Sequence, residues 1–148
     1  MEYLEITENK KKYLPLLLLA DEQENMIDRY IDRGRMFVLS DGGEVRAECV
    51  VCDEGNGILE IKNLAVPSAL QKQGYGKAMI DYLTGKFRGC FSVLQVGTGD
   101  SPLTVPFYEK CGFTRSYTIK DFFTDNYEKP IYECGIRLTD MVVLRKSL

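Results

Sequence analysis

Residues 59–77 read LEIKNLAVPSALQKQGYGK. The apolar alternation up to Val66 predicts a strand, Pro67 marks a turn, and the glycine-bearing loop beyond it opens a helix. Gln71, Gly74 and Gly76 fall in the pattern Q-x-x-G-x-G, followed by Lys77. A loop with two glycines at a helix start aims several backbone N–H groups at one point and adds the positive end of the helix dipole. That is a site for an anion such as a phosphate or pyrophosphate. The strand leading into it carries a carboxylate, Glu60, so an anion site and a candidate base share one short segment.

Upstream, Met1–Thr7 alternates as a first strand, and helices are expected over Lys10–Leu19, irregular at Pro15, and over Glu22–Asp32, stopped by Gly34. Met36–Ser40 and Glu44–Asp53 read as a hairpin turned at Asp41-Gly42-Gly43. The turn Glu54–Gly57 then leads into Ile58–Val66 as a third antiparallel strand. Downstream, Gly74–Phe87 carries an apolar stripe at helical spacing. Phe91–Val96 has no charge, as expected of a central strand covered on both sides. Strand, helix, strand implies a parallel pair with a right-handed crossover. A short helix starting near Pro102 or Pro106 ends at Gly112, and the last strands are expected at Thr114–Ile119 and Ile136–Leu144. Between them Lys120–Cys134 is long for a hairpin loop, the kind of segment that serves as a functional lid.

Composition narrows the chemistry. A length of 148 residues bounds the chain to one expected domain, 1–148, large enough to bury about 70% of its unfolded surface. A net charge of −3 argues against broad nucleic-acid binding. There is no histidine, which removes Ser-His-Asp and Cys-His catalysis and most zinc sites, so no metal is expected. Five cysteines cannot all pair within the chain, and Cys49 and Cys52, three apart on a strand, face opposite sides; free thiols in a reducing cytoplasm are the expectation. The apolar run Leu14–Ala20 after Lys10–Lys12 is too short to span a bilayer, and no membrane association is expected.

Three readings compete for the glycine loop. A Walker loop needs G-x-x-x-x-G-K-[ST], but Ala78 follows Lys77. A dinucleotide fingerprint needs its third glycine or alanine at position 79, which is Met. The third reading takes in a second motif, Phe107-Tyr108-Glu109-Lys110-Cys111-Gly112-Phe113. Val66-Pro67, then Gln71-x-x-Gly74-x-Gly76, an amphipathic helix, a short apolar strand and this second motif together resemble the GCN5-related N-acetyltransferase (GNAT) family. The order of elements along the whole chain is similar too.

The resemblance implies an α/β mixed sheet flanked by about four helices, the GNAT-like acyl-CoA N-acyltransferase fold. It implies acetyl-CoA as co-substrate and direct acetyl transfer to a primary amine in a ternary complex. The backbone of Gln71, Lys72, Gln73, Gly74, Tyr75, Gly76 and Lys77 would hold the CoA pyrophosphate. The Leu64–Ala65–Val66 backbone would pair with the pantetheine arm, and the Leu64 N–H would polarise the thioester. Two parallel strands would part here, Leu64–Val66 from Val93–Val96. Many members carry an asparagine after the next strand. This chain has Gly97-Thr98-Gly99-Asp100-Ser101, where Ser101 or Thr98 is the candidate substitute.

The resemblance also casts Glu60 as general base and Tyr108 as general acid to the departing thiolate. On an unkinked strand Glu60 and Leu64 share a face about 13 Å apart, so a bulge or a water relay is needed. The plainer reading pairs Glu60 with Lys62 or Arg46, and packs Tyr108 as an aromatic against the CoA arm. In the family the acceptor pocket is built by the first helices and the last loop, here Asn25–Arg33 and Lys120–Cys134. Asp121, Asp125, Glu128, Glu133, Phe122, Phe123, Tyr127 and Tyr30 suggest a flat or apolar cationic amine, and a solvated loop explains the same charges. Small-molecule, peptide and protein amines stay open, and the resemblance adds a homodimer as a candidate assembly. The rival functions are a non-catalytic acyl-CoA sensor and a nucleotide or NAD binder.

Overall fold

The structure, a computed structural model, describes residues 1–148. Strands β1 (Glu2–Ile6), β2 (Arg35–Asp41), β3 (Glu44–Asp53), β4 (Ile58–Ala65), β5 (Val93–Gly99), β6 (Thr114–Ile119) and β9 (Met141–Ser147) form one sheet in the order β1-β2-β3-β4-β5-β9-β6. Only β4 and β5 run parallel. Strands β7 (Tyr132–Glu133) and β8 (Ile136–Arg137) make a separate small hairpin. Five helices accompany the sheet: α1 (Leu14–Ala20), α2 (Glu24–Ile27), α3 (Tyr75–Phe87), α4 (Val105–Lys110) and α5 (Phe122–Asn126).

The local chemistry accounts for most boundaries. Gly42 and Gly43 both take positive φ, 61° and 81°, the geometry a two-residue hairpin needs between β2 and β3. Pro15 and Pro106 sit in the first turns of α1 and α4, where a missing N–H costs nothing, so α4 starts by Pro106 and not Pro102. One face of the sheet buries Phe37, Cys49, Val51, Leu59, Ile61 and Leu94 against Met79, Ile80, Leu83 and Phe87 of α3, with Tyr108 and Phe113 in the same cluster. The other face buries Met36, Val38, Val50 and Cys52 against Leu17, Ile27, Tyr30 and Ile31. Cys49 and Cys52 therefore do face opposite sides, and all five cysteines are free. No helix is long and apolar enough to cross a membrane.

Four expectations are corrected. The second helix is only Glu24–Ile27; beyond it the chain tightens through i→i−3 bonds such as Arg29 N–H to Met26 O, and Lys10 Nζ donates to the carbonyls of Ile31 and Gly34. The expected last strand, Ile136–Leu144, is interrupted. Leu138 turns inward against Gly99, and Asp140 accepts the N–H of Asp121, so pairing resumes only at Met141. The loop before it contains α5 and β7. Lastly, the parallel pairing runs from Ile58↔Val93 to Ile61↔Val96 and stops, so Val93–Val96 is the paired part and the strands part at Lys62–Ala65 and Gly97–Gly99.

A bulge places the side chains around that opening. Val51 pairs with Ile61 but Val50 pairs with Asn63, which leaves Lys62 as the extra residue on β4. Before the bulge Leu59 and Ile61 face α3. Beyond it Leu64 packs on that same side, while Asn63 turns to Leu17 and Tyr30. The bulge is the kink that the sequence reading left open, and with it Glu60, opposite Cys52, lies on the other face from Leu64.

Candidate active site

A cleft of about 1160 Å³ runs from the start of α3, past the parted ends of β4 and β5, to the layer of α1, α2 and α5. Gly74 precedes α3 at φ 90°, a left-handed conformation that glycine alone adopts readily, and this turns the chain into the helix. The first helical bond runs from Ala78 N–H to Gly74 O, so the N–H groups of Tyr75, Gly76 and Lys77 have no helix partner. Gly76 has a different reason for its identity: a Cβ there would stand 3.0 Å from the Phe107 ring, so the helix start packs directly on α4. Lys72, Lys77 and Lys110 give this end of the cleft a basic rim, with Lys77 also 2.8 Å from Asp81.

Of the cofactor residues expected from the sequence, Leu64, Ala65, Val66, Gln71, Lys72, Gly74, Tyr75, Gly76 and Lys77 all line the cleft. Gln73 does not, and its amide turns back toward Ala69 O. Ser101 is also away from the cleft surface, 4% exposed. Its hydroxyl donates to Glu133 at 3.0 Å and accepts the N–H of Leu103, which ties the β5–α4 connection to the β7–β8 hairpin. Thr98 does line the cleft and donates to Thr104 at 2.8 Å.

Tyr108 enters the middle of the cleft from α4, clamped edge-on between Phe107 and Phe113. Only 8% of it is exposed, and its hydroxyl bonds to no protein group. Burial pushes its proton affinity well above that of an ordinary phenol, so it is a neutral donor at every physiological pH. Glu60 also reaches the cleft, but its carboxylate is ion-paired with Lys62 and accepts from the amide of Gln95. Gln95 is held in turn by Arg145 at 2.8 Å.

The other end of the cleft is a hydrogen-bonded clasp. Tyr30 and Tyr127 both donate to Asp21, at 2.9 and 2.7 Å. Gln23 receives the N–H of Glu128, and Arg29 donates to Asn126, so α5 and the chain after it close over α1 and α2. Burial raises the proton affinity of Asp21, and the two phenols work against that. Glu133 is raised too, by burial first, with its Ser101 bond opposing and Glu22 adding to the rise. Phe123 and Tyr127 stack at 5.7 Å beside these acids. The two segments that the sequence assigned to an acceptor pocket, Asn25–Arg33 and Lys120–Cys134, thus meet at one end of one cleft.

Two cleft residues were missed in the sequence, Asp21 and Asn63, and so was Glu48, which is fully buried opposite the cleft-lining Ala65 and does not itself line the cleft. Asn63 and Glu48 had a visible signal. Each interrupts an apolar strand at an inward-facing position, in I-K-N-L and A-E-C-V-V.

The family model described as acetyltransferase (GNAT) domain matches residues 32–115. YvbK of Bacillus subtilis (strain 168), described as an uncharacterized N-acetyltransferase, is 34% identical over 143 residues, covering 95% of this chain and 92% of that protein. A GNAT family acetyltransferase from Elizabethkingia anophelis, solved with acetyl-CoA bound, is 33% identical and superposes with a TM-score of 0.93 over 99% of this chain and 97% of that one. A Bacillus subtilis acetyltransferase solved with CoA is 32% identical, with a TM-score of 0.89 over 99% and 98% of the two chains.

Proposed function

The chain belongs to the GNAT acetyltransferase family and is an N-acetyltransferase; from that premise we propose that it carries acetyl from acetyl-CoA directly to a primary amine in a ternary complex. The observation that carries this reading is the single cleft with a basic helix start at one end, unpaired strand edges and an unbonded phenol in the middle, and an acidic clasp at the other. The open N–H groups of Tyr75, Gly76 and Lys77 suit a pyrophosphate, with the rest of Gln71–Gly74 framing it. The free edge of Leu64–Val66 suits a pantetheine arm as an added strand, which places the Leu64 N–H at a developing oxyanion. Tyr108 donates a hydrogen bond to the leaving sulfur. In the sequence reading Glu60 would take the amine's proton through water; in the fold that carboxylate is already shared by Lys62 and Gln95.

Direct transfer is favoured by what a covalent route would need. The thiol lining this cleft is Cys111, and burial pushes its proton affinity up, which makes it a weak nucleophile. Initial velocities over acetyl-CoA and amine concentrations test this. Intersecting double-reciprocal lines are expected, and parallel lines would show an acetyl-enzyme intermediate instead.

A further inference from the structure

The chain has three buried side-chain polar atoms without a hydrogen-bond partner, and they lie together: both carboxylate oxygens of Glu48 and Oδ1 of Asn63. Glu48 pairs with Ala65 and Val50 with Asn63 across β3 and β4, so Glu48 and Asn63 are diagonal neighbours facing α1 and α2. The amide of Asn63 has only one possible orientation. Its NH2 group donates to Leu17 O at 3.0 Å and to the Tyr30 oxygen at 3.1 Å. The carbonyl can only accept, and the Tyr30 hydroxyl has given its proton to Asp21. The free atom is therefore the Asn63 oxygen, on a side chain 3% exposed in a residue that lines the cleft next to Leu64.

Glu48 is 0% exposed and lies just behind the cleft surface, opposite Ala65 and diagonal to Asn63, both of which line the cleft, and no cation pairs with it. On its own face stands Tyr30, from the segment after α2; Tyr108 of α4 and Cys49 of β3 belong to the α3 side of the sheet and couple to it through charge, and the N–H of Ala65 on β4 points toward it outside hydrogen-bond geometry. With Glu48 ionised, these are three acceptor atoms, and they are the complement of a primary ammonium with three N–H bonds and a positive charge.

We propose that this cluster is the seat of the acceptor's protonated amine, with Asn63 Oδ1 accepting one N–H and Glu48 taking the ammonium's charge and then its proton, in place of Glu60. The inference rests on the N-acetyltransferase reading above. The ammonium gives one proton to the Glu48 carboxylate, and the freed lone pair attacks the thioester carbon. The C–N bond forms and the carbonyl π pair moves to oxygen at the Leu64 N–H. As the C–S bond breaks, a second proton leaves nitrogen and the thiolate ends as a thiol through Tyr108. One ammonium and one thioester become one amide, one thiol and one proton, which Glu48 returns to solvent. Burial suits Glu48 to this step, because it favours the carboxyl form that the transfer produces.

The test is Glu48→Gln, which keeps the shape but removes the negative charge and the proton-accepting oxygen. The probes are acetyl-CoA with butylamine, 1,5-diaminopentane and a peptide with a free amino terminus. For an amine that the wild type acetylates, kcat/KM is expected to fall about 100-fold or more. The acid limb of its pH profile should vanish, while acetyl-CoA affinity stays within twofold. That amine should raise the Tm of CoA-saturated wild type and leave the variant's unmoved. If kcat/KM and pH profile are unchanged in Glu48→Gln, or the loss appears in Glu60→Gln instead, the proposal is overturned alone. If wild type binds acetyl-CoA but neither acetylates nor is shifted by any of the three amines, this proposal and the amine-transfer reading fall together.

Discussion

At one end of the cleft, Gln71–Lys77 offers backbone N–H groups and a lysine rim from one turn and the helix it starts. At the other end, Asp21, Tyr30, Asn63 and Tyr127 come from four separate stretches of chain and meet only through hydrogen bonds. The first end is made of backbone and tolerates changes of side chain as long as its glycines keep their shape. The second is made of side chains held by one another, so each change there propagates. An enzyme that binds one fixed co-substrate and some particular amine needs that division, since backbone suits an unvarying ligand and side chains suit a selected one.

The largest expected break is in the middle, where both ends meet. Tyr108→Phe should lower kcat by about 100-fold, in the range of a lost acid–base partner, with acetyl-CoA affinity unchanged; steady-state kinetics beside calorimetry will show it. Gly74→Val forces a β-branched residue to φ 90°, at a cost of about 1–3 kcal/mol. It should weaken acetyl-CoA binding by about 10- to 100-fold and leave the acceptor clasp intact, and calorimetry reads this directly. At the opposite end, Asp21→Asn removes the charged partner of two phenols, each such bond being worth about 1.5–3 kcal/mol. It should raise KM for the amine about 10-fold with no change in acetyl-CoA affinity. Equal damage to both ligands would mean that the two ends are not separable.

Two smaller effects concern stability. Glu48 is raised in the fold relative to the unfolded chain. Its contribution is therefore complete below the unfolded carboxylate value near pH 4.3 and is lost as pH rises above it. Tm of the wild type should decline with pH over that window more steeply than Tm of Glu48→Gln. Ser101→Ala unties the β7–β8 hairpin from the β5–α4 connection and should cost about 1 kcal/mol, seen as a lower urea midpoint with acetyl-CoA affinity retained.

The same division explains what could be read in the sequence. β3, β6 and α3 were legible because glycine punctuation and residue period are local signals, and so was the anion loop, which is one contiguous segment. The shortened α2 was not, because the segment beyond it is held by Lys10 from a distant turn through the carbonyls of Ile31 and Gly34. The break at Leu138–Asp140 depends on Gly99 and Asp121, which are remote in sequence. Glu60 and Tyr108 were legible as candidates by position in their motifs. The pairing of Glu60 with Lys62 was one of the two partners the sequence left open, but that Lys62 is the bulge residue follows only from the register of β3 against β4. Ser101 was picked as a cofactor contact from its place after β5, but its hydroxyl is spent on Glu133, a residue 32 positions away.

The most direct test of the account is a calorimetric titration of the protein with acetyl-CoA, beside CoA, ATP and NAD. Micromolar binding of acetyl-CoA and CoA alone, lost in Gly74→Val and kept in Asp21→Asn, is the predicted result. Preference for ATP or NAD, or acetyl-CoA binding indifferent to Gly74→Val, would contradict it.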